Sequence, residues 1–304
     1  MSDNTDIKQV TVISGKGGTG KTSLISSLAY LLQNYSILAD ADVDAADLYL
    51  IFSPEKSEKT DYYGTKKAVI DFDKCTKCMK CYESCRYGAI DQELNIEIVR
   101  CEGCGLCKHV CPVDAITMIE RVSGNYFVSD TRIGKMIHAR LVPGEESSGL
   151  LVAEVRKKAL QVAKEKNKSL VLIDGSPGIG CPVISSLSGS HLAIVVSEPT
   201  ISGKHDLERV LELLKQFNIP GFIVVNKSDI NMEITQEIED KFEKDFPVIA
   251  KIPHNHIFTQ AMIEKKTVVE IDSEDKSVKD IQETIENIAK LILEKLKISN
   301  KNTF

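Results

Sequence analysis

Two groups of residues in this chain have the types and spacing that chemistry needs: a glycine-rich loop with two lysines, and two runs of cysteines. The loop reads GKGGTGKT from Gly15 to Thr22 and fits the phosphate-binding pattern G-x-x-x-x-G-K-[ST]. An apolar run at residues 10–13 precedes the loop, and apolar residues at helical spacing follow it from Leu24 onwards. This context predicts a nucleotide site at a strand–loop–helix junction.

The residue types of the loop suit phosphate binding. Glycines let the backbone curl so that consecutive N–H groups face one phosphate chain, and the helix N-terminus adds partial positive charge. Lys21 is expected to reach the β- and γ-phosphates, and the hydroxyl of Thr22 is expected to bind Mg²⁺. The residues expected to contact the nucleotide here are Gly15, Lys16, Gly17, Gly18, Thr19, Gly20, Lys21, Thr22 and Ser23.

Eight cysteines form two copies of the spacing C-x₂-C-x₂-C-x₃-C. This is the spacing of bacterial two-cluster ferredoxins, in which the fourth cysteine of each run ligates the other cluster. Zinc also accepts four thiolates, but two interleaved copies of this spacing favour iron–sulfur. The expected ligand sets of the two [4Fe–4S] clusters are Cys75, Cys78, Cys81 and Cys111 for one, and Cys101, Cys104, Cys107 and Cys85 for the other.

Acidic residues follow two further apolar runs that predict strands. One run ends at Asp40, within the segment DADVDAADL, and the other ends at Asp174. Charges just past the carboxyl ends of parallel strands lie where open α/β sheets bind ligands. Asp174 is therefore expected to hold Mg²⁺ through water. Which of Asp40, Asp42 and Asp44 acts in the reaction is open at this point.

The additional Lys16 makes the loop similar to that of MinD/ParA-type ATPases with a deviant Walker A motif, which include the nitrogenase iron protein and iron–sulfur scaffold ATPases. The resemblance covers about residues 7–60 and 130–295. It implies that Lys16 reaches a partner's nucleotide in a homodimer, or in a heterodimer with a related ATPase. It also implies that Asp42 polarises the attacking water and that Asp40 lies near the metal. The expected catalytic residues are Lys16, Lys21 and Asp42.

Two later segments complete the expected nucleotide site. Gly178 lies in the loop DGSPGIG, which in similar proteins senses the γ-phosphate. Asn226 and Asp229 match the N-K-x-D pattern of guanine-binding proteins, in which the aspartate reads the guanine edge, whereas in MinD-like ATPases the asparagine contacts adenine. Lys16 and the order of the motifs favour ATP, while GTP stays open. His254 and His256 could be metal ligands, but a loop beside the base explains them better.

Strand-like and helical patterns alternate along the chain, with the nucleotide motifs at strand ends, which predicts a doubly wound, mainly parallel α/β sheet. A small α+β ferredoxin-like domain is inserted into it. The expected division is residues 1–68 and 122–304 for the P-loop domain and 69–121 for the ferredoxin domain. The polar residues 51–68 predict a linker, and Gly124-Asn125 predicts a turn. The insertion is expected at the edge of the sheet where nucleotide and dimer partner meet.

Composition argues against several classes of protein. The chain has 304 residues, 27% of them charged and 42% hydrophobic, as in ordinary globular proteins. A formal net charge of -6 gives no electrostatic reason to expect nucleic acid. The polar N-terminal residues and the absence of a long apolar run predict no signal peptide and no membrane span, so the expected location is cytoplasmic. An amphipathic helix predicted at 278–296 mixes glutamates with lysines, so it is expected to pack on its own sheet.

Together these motifs resemble anaerobic prokaryotic MinD-superfamily ATPases with an inserted ferredoxin domain. The first functional hypothesis is an ATPase that assists iron–sulfur or metallocluster assembly, or metalloenzyme maturation, in an apo-metalloprotein client. The alternative is an ATP-gated electron-transfer protein that supplies low-potential electrons to a redox partner. A third, a MinD-like organiser at a membrane, lacks a basic terminal helix and leaves the cysteines unexplained.

Overall fold

The computed structural model describes residues 7–43, 46–143, 145 and 148–299, so Asp44 lies outside the described residues. The strands are β1 Lys8–Ser14, β2 Ser36–Asp40, β3 Lys56–Tyr63, β4 Lys67–Ile70, β5 Ile116–Ile119, β6 Val122–Thr131, β7 Gly134–Leu141, β8 Leu170–Pro177, β9 Leu192–Ser197, β10 Gly221–Asn226 and β11 Val248–Ile252. The helices are α1 Lys21–Leu31, α2 Leu48–Phe52, α3 Lys80–Ser84, α4 Leu106–His109, α5 Ser148–Glu165, α6 Cys181–Leu187, α7 Ile201–Gln216, α8 Met232–Phe242, α9 Ile257–Ile263 and α10 Lys276–Lys295.

Nine strands form one sheet in the order β11-β10-β9-β1-β8-β2-β7-β6-β3. The pairs from β11 across to β7 are parallel, and β7–β6 and β6–β3 are antiparallel. Strand β1 lies in the middle, which is why its apolar run is buried on both faces. The predicted doubly wound, mainly parallel fold is confirmed.

Separate hydrophobic cores cover the two faces of the sheet. On one face, α1 and α10 pack against the strands, and α10 buries Ile281, Ile285, Ile288 and Ile292 at helical spacing. On the other face lie α5, which packs on β2, β7 and β8, and α6 and α7. The predicted packing of the C-terminal helix on its own sheet is confirmed. Within the described ranges, no helix is long and apolar enough to span a bilayer.

The predicted linker at residues 51–68 is wrong. Strand β3 occupies most of it and pairs antiparallel with β6, with Lys56 opposite Asp130 and Thr60 opposite Tyr126. Because β3 is the outermost strand of the sheet, most of its side chains face solvent, and its polar composition matches that of a linker. The turn predicted at Gly124-Asn125 is also wrong, because both residues lie inside strand β6.

The cysteine-containing segment lies between β3 and β6. It has its own two-stranded sheet, β4 with β5, the short helices α3 and α4, and a small core that includes Cys81 and Cys101. Because β3 and β6 are paired neighbours, the two ends of the segment leave the main sheet side by side. The insertion is at an edge, as expected, but not beside the nucleotide loop. Strand β3 stands five strand positions from β1, about 24 Å at the usual spacing of about 4.8 Å.

A buried histidine lies in the antiparallel part of the sheet that carries this segment. His138 of β7 stacks on Phe127 of β6, with ring centroids 4.9 Å apart, and its Nε2 lies 2.9 Å from Oγ of Ser129. Burial, with Arg140 nearby, lowers the pKa of His138 to about 4. The ring is therefore neutral at pH 7.

This histidine makes stability fall in mild acid. The native pKa lies below the unfolded value, so the unfolded chain binds the proton more tightly, and stability is lost as pH falls from about 6.5 to about 4. The contribution is about 3 kcal/mol at about 1.4 kcal/mol per pKa unit. In His138→Gln, urea unfolding followed by circular dichroism should show a shallower loss across this range. The exposed His205→Gln is the control, and an unchanged slope in His138→Gln would contradict this assignment.

Candidate functional site

The glycine-rich loop connects the end of β1 to the start of α1. Gly18 and Gly20 have left-handed backbones, with φ of 78° and 90°. A Cβ on Gly20 would lie 2.1 Å from Nδ2 of Asn226, which donates a hydrogen bond of 2.8 Å to the carbonyl of Thr19. A Cβ on Gly15 would lie 2.5 Å from Cβ of Asp206. Glycine is therefore favoured by conformation at Gly18, by space at Gly15 and by both at Gly20.

Two adjoining cavities open at this loop. The first, of about 310 Å³, is lined by residues 17–23 together with Asp42, Asp47 and Pro177. The second, of about 260 Å³, shares Gly18, Gly20 and Ser23 with the first and continues to Asn226 and His254. These volumes are at the lower end of the range of small-molecule sites, and together they offer room for a phosphate chain and a base. Most of the predicted nucleotide residues are thus brought to one cleft.

Lysine and acidic side chains converge at the inner end of the cleft. Lys21 is buried and forms an ion pair with Asp174, and its Nζ lies 3.4 Å from Oδ2 of Asp42. The hydroxyl of Thr22 donates to Oδ2 of Asp174 over 3.2 Å. Although burial opposes it, the attraction of Asp174 and Asp42 raises the pKa of Lys21. The ammonium is therefore held charged among carboxylates, where a phosphate chain would compete for it.

Asp40 is the most deeply buried acid of this group. It faces Asp174 in the register of β2 and β8 and accepts a 3.2 Å hydrogen bond from the N–H of Asp42. Its Oδ2 is buried and has no hydrogen-bond partner among the described residues. Burial and the charge of Asp174 raise the pKa of Asp40 well above its usual value, and burial likewise raises that of Asp174. Asp40, Asp174 and the Thr22 hydroxyl carry oxygen ligands of the kind that Mg²⁺ prefers, and Mg²⁺ commonly uses only one or two carboxylates together with phosphate and water.

Lys16 has a partner that the sequence did not indicate. Its Nζ lies 3.3 Å from Oε2 of Glu198 and 3.5 Å from the hydroxyl of Thr200. Glu198 also pairs with Lys227, whose Nζ donates to the carbonyl of Gly18 over 3.3 Å. Although burial opposes it, hydrogen bonds from Lys227 and Lys16 lower the pKa of Glu198. The one available signal was its position directly after a buried strand, β9. A role of Lys16 towards a partner's nucleotide stays a prediction.

The remaining predicted residues divide into two groups. Asn226 lines the second cavity, whereas Asp229 does not line it and accepts a 2.6 Å hydrogen bond from the N–H of His254. Gly178 has φ of 92°, and its N–H donates to the carbonyl of Ser14 over 2.8 Å, which connects the loop after β8 to the end of β1. Asp229 therefore holds the His254 loop in place, and Asn226 lines the cavity with its Nδ2 bound to the carbonyl of Thr19.

The eight cysteines surround two cavities in the sets predicted from the crossed pattern. One cavity is lined by Cys75, Cys78, Cys81 and Cys111, and the other by Cys85, Cys101, Cys104 and Cys107. The two halves have equivalent local geometry, since α3 and α4 each follow a residue in the left-handed region, Met79 and Gly105. In the described part of the chain, no three Cys, His, Asp or Glu side chains have the spacing of a single metal ion.

The surroundings of these thiols suit a polynuclear iron–sulfur group. Apolar side chains such as Ile70 and Ile90 line the cavities, and burial raises the pKa of the Cys81 and Cys107 thiols. Backbone N–H groups point at sulfur, from Lys77 to Cys75 over 3.4 Å and from Ala115 to Cys111 over 3.3 Å. N–H groups directed at cluster sulfurs and limited solvent access are the protein's means of setting cluster potentials.

Comparison with known proteins agrees with both the P-loop fold and the iron–sulfur character of the cysteine-containing segment. Residues 68–118 match the family model of a 4Fe-4S dicluster domain. The uncharacterized protein MJ0578 of Methanocaldococcus jannaschii is 33% identical over 289 residues, which cover 94% of this chain and 98% of the relative. The pyruvate synthase subunit PorD of Methanothermobacter marburgensis is 43% identical over 63 residues, 21% of this chain and 78% of that protein.

Among solved structures, the fold is similar to that of the septum site-determining protein MinD from Pyrococcus horikoshii in complex with Mg-ADP. The TM-score is 0.58 at 19% sequence identity, with 96% of this chain and 100% of that chain covered. At this level of identity the likeness shows the fold.

The burial of the Asp40 carboxylate, together with its repulsion by Asp174, predicts a stabilising substitution. Because its pKa is raised in the native state, the destabilising contribution is present at pH 7 and is relieved as pH falls through the native value. Asp40→Asn should therefore increase the free energy of unfolding at pH 7 by about 1 to 3 kcal/mol when Mg²⁺ is chelated. It should also weaken the additional stabilisation by Mg²⁺-ATP. Thermal unfolding measures both, with the exposed Asp272→Asn as control. A destabilised Asp40→Asn without Mg²⁺ would contradict this view.

The two cysteine sets predict which substitutions share an effect. Cys75→Ser and Cys111→Ser should each remove about half of the iron and alter the same electron paramagnetic resonance (EPR) signal. Cys85→Ser and Cys101→Ser should alter the other signal. Cys181→Ser, outside both cavities, is the control and should leave iron content unchanged. If Cys111→Ser instead affected the signal that Cys101→Ser affects, the crossed assignment would be wrong.

Proposed function

Because this chain belongs to the family of MJ0578 from M. jannaschii, and joins a MinD/ParA-type P-loop fold to a 4Fe-4S dicluster domain, we propose that it is an ATP-hydrolysing iron–sulfur protein. In this proposal the nucleotide controls electron transfer through two [4Fe–4S] clusters to a redox partner. The observation that carries it is the presence, in one chain, of a phosphate cleft with converging Lys21 and Asp174 and of two complete sets of four cysteines.

The nucleotide half follows from the geometry of the loop. The N–H groups of residues 15–20 and the ammonium of Lys21 would hold the phosphates, and Thr22, Asp40 and Asp174 would hold Mg²⁺. The metal would supply charge neutralisation at the phosphate oxygens. Asp42 lines the cleft 3.4 Å from Lys21 and is the residue we assign to orienting the attacking water. Lys16 completes the charge stabilisation in a dimer, either a homodimer or a heterodimer with a related ATPase.

We expect the second cavity to take the base of ATP rather than that of GTP. In the guanine-binding pattern the aspartate accepts hydrogen bonds from the guanine edge, but here one oxygen of Asp229 is already bound to the N–H of His254. Asn226 lines the cavity, as expected for a residue that contacts adenine. The MinD structure to which this fold is similar is a complex with Mg-ADP.

The iron–sulfur half favours clusters that stay in place. Each cavity has four thiols, three from one cysteine run and one from the other, and one cysteine of each set is buried. A bound cluster would therefore be held by iron–sulfur bonds to both runs. Such clusters supply one-electron redox chemistry at low potential. The similarity of this segment to PorD, a subunit of pyruvate synthase, points the same way.

Cluster delivery to an apo-metalloprotein is the second candidate. The observation in its favour is that Cys78 and Cys104, one in each set, are exposed and so can be reached by an acceptor's thiols. For a membrane organiser the structure offers no comparable observation, since the apolar face of α10 is buried in the core.

The nucleotide proposal is tested by hydrolysis. Lys21→Ala should lower the rate of ATP hydrolysis by about 100-fold or more, because it removes the charge that stabilises the transferred phosphoryl group. The wild type should hydrolyse GTP at about one tenth of the ATP rate or less, by analogy with other sites that lose a base-specific hydrogen bond. The exposed Lys77→Ala is a matched control and should hydrolyse ATP normally. Equal rates for Lys21→Ala and wild type would remove the proposal.

Electron transfer and cluster delivery are separated by iron analysis. The reconstituted protein is incubated anaerobically with ATP and an apo-ferredoxin acceptor, and the two are then separated. Under the electron-transfer proposal about eight irons per chain are retained while ATP changes the rate at which the reduced EPR signal is lost to an oxidised acceptor. Iron found in the acceptor, in proportion to ATP consumed, would favour delivery instead.

A further inference from the structure

A buried ion pair joins the start of β4, in the cysteine-containing segment between β3 and β6, to the connection between β7 and α5. Nζ of Lys67, at the start of β4, lies 3.3 Å from Oε2 of Glu145, and the two side chains are 5% and 7% exposed. Glu145 belongs to the connection between β7 and α5. The same ammonium donates a 2.8 Å hydrogen bond to the carbonyl of Cys101, the first cysteine of the second run. One charge of the P-loop domain is therefore two contacts away from a proposed cluster ligand.

A second ion pair at the same junction is exposed to solvent, so a position at the junction does not by itself bury an ion pair. Lys66, the preceding residue, pairs with Glu120 over 3.4 Å, but these side chains are 56% and 64% exposed. Burying two charges is costly, and apolar residues often replace a buried pair without loss of stability. The Lys67–Glu145 pair is therefore a poor device for stability alone. A role that depends on its charges explains it better.

The junction is also tightly packed around the second cysteine run. A Cβ on Gly103 would lie 2.2 Å from the carbonyl of Lys66, and the backbone of Gly103 is left-handed with φ of 65°. The loop from Cys101 therefore rests directly on the connection between β3 and β4. A displacement of Lys67 is thus transmitted to this loop rather than absorbed between them.

In sequence, Glu145 comes shortly before α5, and α5 contacts α6, the helix that follows the loop after β8. Helix α6 begins at Cys181, directly after this loop, and the hydroxyl of Ser185 donates to the carbonyl of Gly149 in the first turn of α5 over 2.5 Å. A Cβ on Gly149 would lie 3.3 Å from Cβ of Cys181. The N-terminal turns of α5 and α6 are therefore in contact, and Glu145 lies just before α5. These contacts lead from α5 to the loop between β8 and α6, which a hydrogen bond from the N–H of Gly178 connects to the end of β1.

We propose that the Lys67–Glu145 pair couples the nucleotide site to the cluster held by Cys101, Cys104, Cys107 and Cys85. A shift of α6 and α5 on nucleotide exchange moves Glu145 relative to Lys67 and so changes the net charge beside Cys101. A positive charge near a cluster favours its reduced, more negative form, and the carboxylate offsets that effect. Lys67 and Glu145 thus act as positioning residues, which adjust the reduction potential of this cluster through the charge beside Cys101. This inference rests on the proposed function, because it requires nucleotide and clusters in one protein.

The test is an EPR-monitored redox titration of the reconstituted full-length protein with ADP and with a non-hydrolysable ATP analogue. In the wild type, one of the two cluster potentials should differ between the nucleotides. In Glu145→Gln that cluster should have a less negative potential, with about a tenfold change in the ratio of reduced to oxidised form, or about 59 mV for one electron. Its dependence on nucleotide should be lost, and the other cluster should titrate as in the wild type.

Matched variants keep the test decisive. Glu120→Gln removes the exposed neighbouring carboxylate and should titrate like the wild type. Lys67→Arg keeps the charge and should keep the nucleotide dependence. If Glu145→Gln loses iron, Glu145→Asp, which withdraws the carboxylate without removing it, should shift the same potential by a smaller amount.

The outcomes separate this inference from the proposed function. ATP hydrolysis and iron content are measured on the same preparations, and the absence of either in the wild type overturns the proposed function and the coupling with it. If both are present but the wild-type potentials ignore the nucleotide, or Glu145→Gln responds to it as the wild type does, only the coupling is overturned.

Discussion

The buried ammonium of Lys21 is the charge on which the centre of this sheet depends. Parallel pairing of β2 with β8 places Asp40 directly opposite Asp174, and Asp42 follows two residues later. Three carboxylates at adjacent strand ends would repel one another strongly in a buried site. Lys21, at the start of α1, lies among them because the glycine-rich loop returns the chain to the end of the sheet. The same arrangement creates the site where phosphates and a divalent cation fit.

The second constraint is where a foreign domain can enter such a sheet. The middle strands are buried on both faces and pair on both sides, so an insertion there would break the core. At the outer edge, β3 and β6 are antiparallel neighbours whose ends lie side by side, and the inserted segment closes its own small core around the cysteines. This solves the packing problem but separates the cysteines from β1. In the coupling that we propose, communication passes through contacts at the junction, where Lys67 and Glu145 are buried.

Around the cleft, residues that match known sequence motifs make contacts that the motifs alone do not predict. The segment from Asn226 to Asp229 spells a guanine-reading pattern, yet the aspartate is bound to the His254 backbone and the asparagine to the carbonyl of Thr19. Lys16, for which we propose a role across a dimer interface, is held by Glu198 of its own chain, which also holds Lys227. The partners of Asp229, Lys16 and Lys227 come from the segment that follows a neighbouring strand of the sheet, whereas the partner of Asn226 lies in the glycine-rich loop.

The sequence by itself determined the parts that depend on local spacing. The loop from Gly15 to Thr22, the two cysteine runs and the buried strand ending near Asp174 are recognisable because backbone geometry and metal chemistry demand particular residues at short, fixed intervals. The tertiary structure alone decided the rest. An exposed edge strand such as β3 has the composition of a linker, since only its pairing with β6 distinguishes the two. The roles of Glu198 and of the Lys67–Glu145 pair could not be predicted from the sequence for the same reason. Their partners lie far away in the chain, and an ion pair leaves no periodic pattern in the sequence.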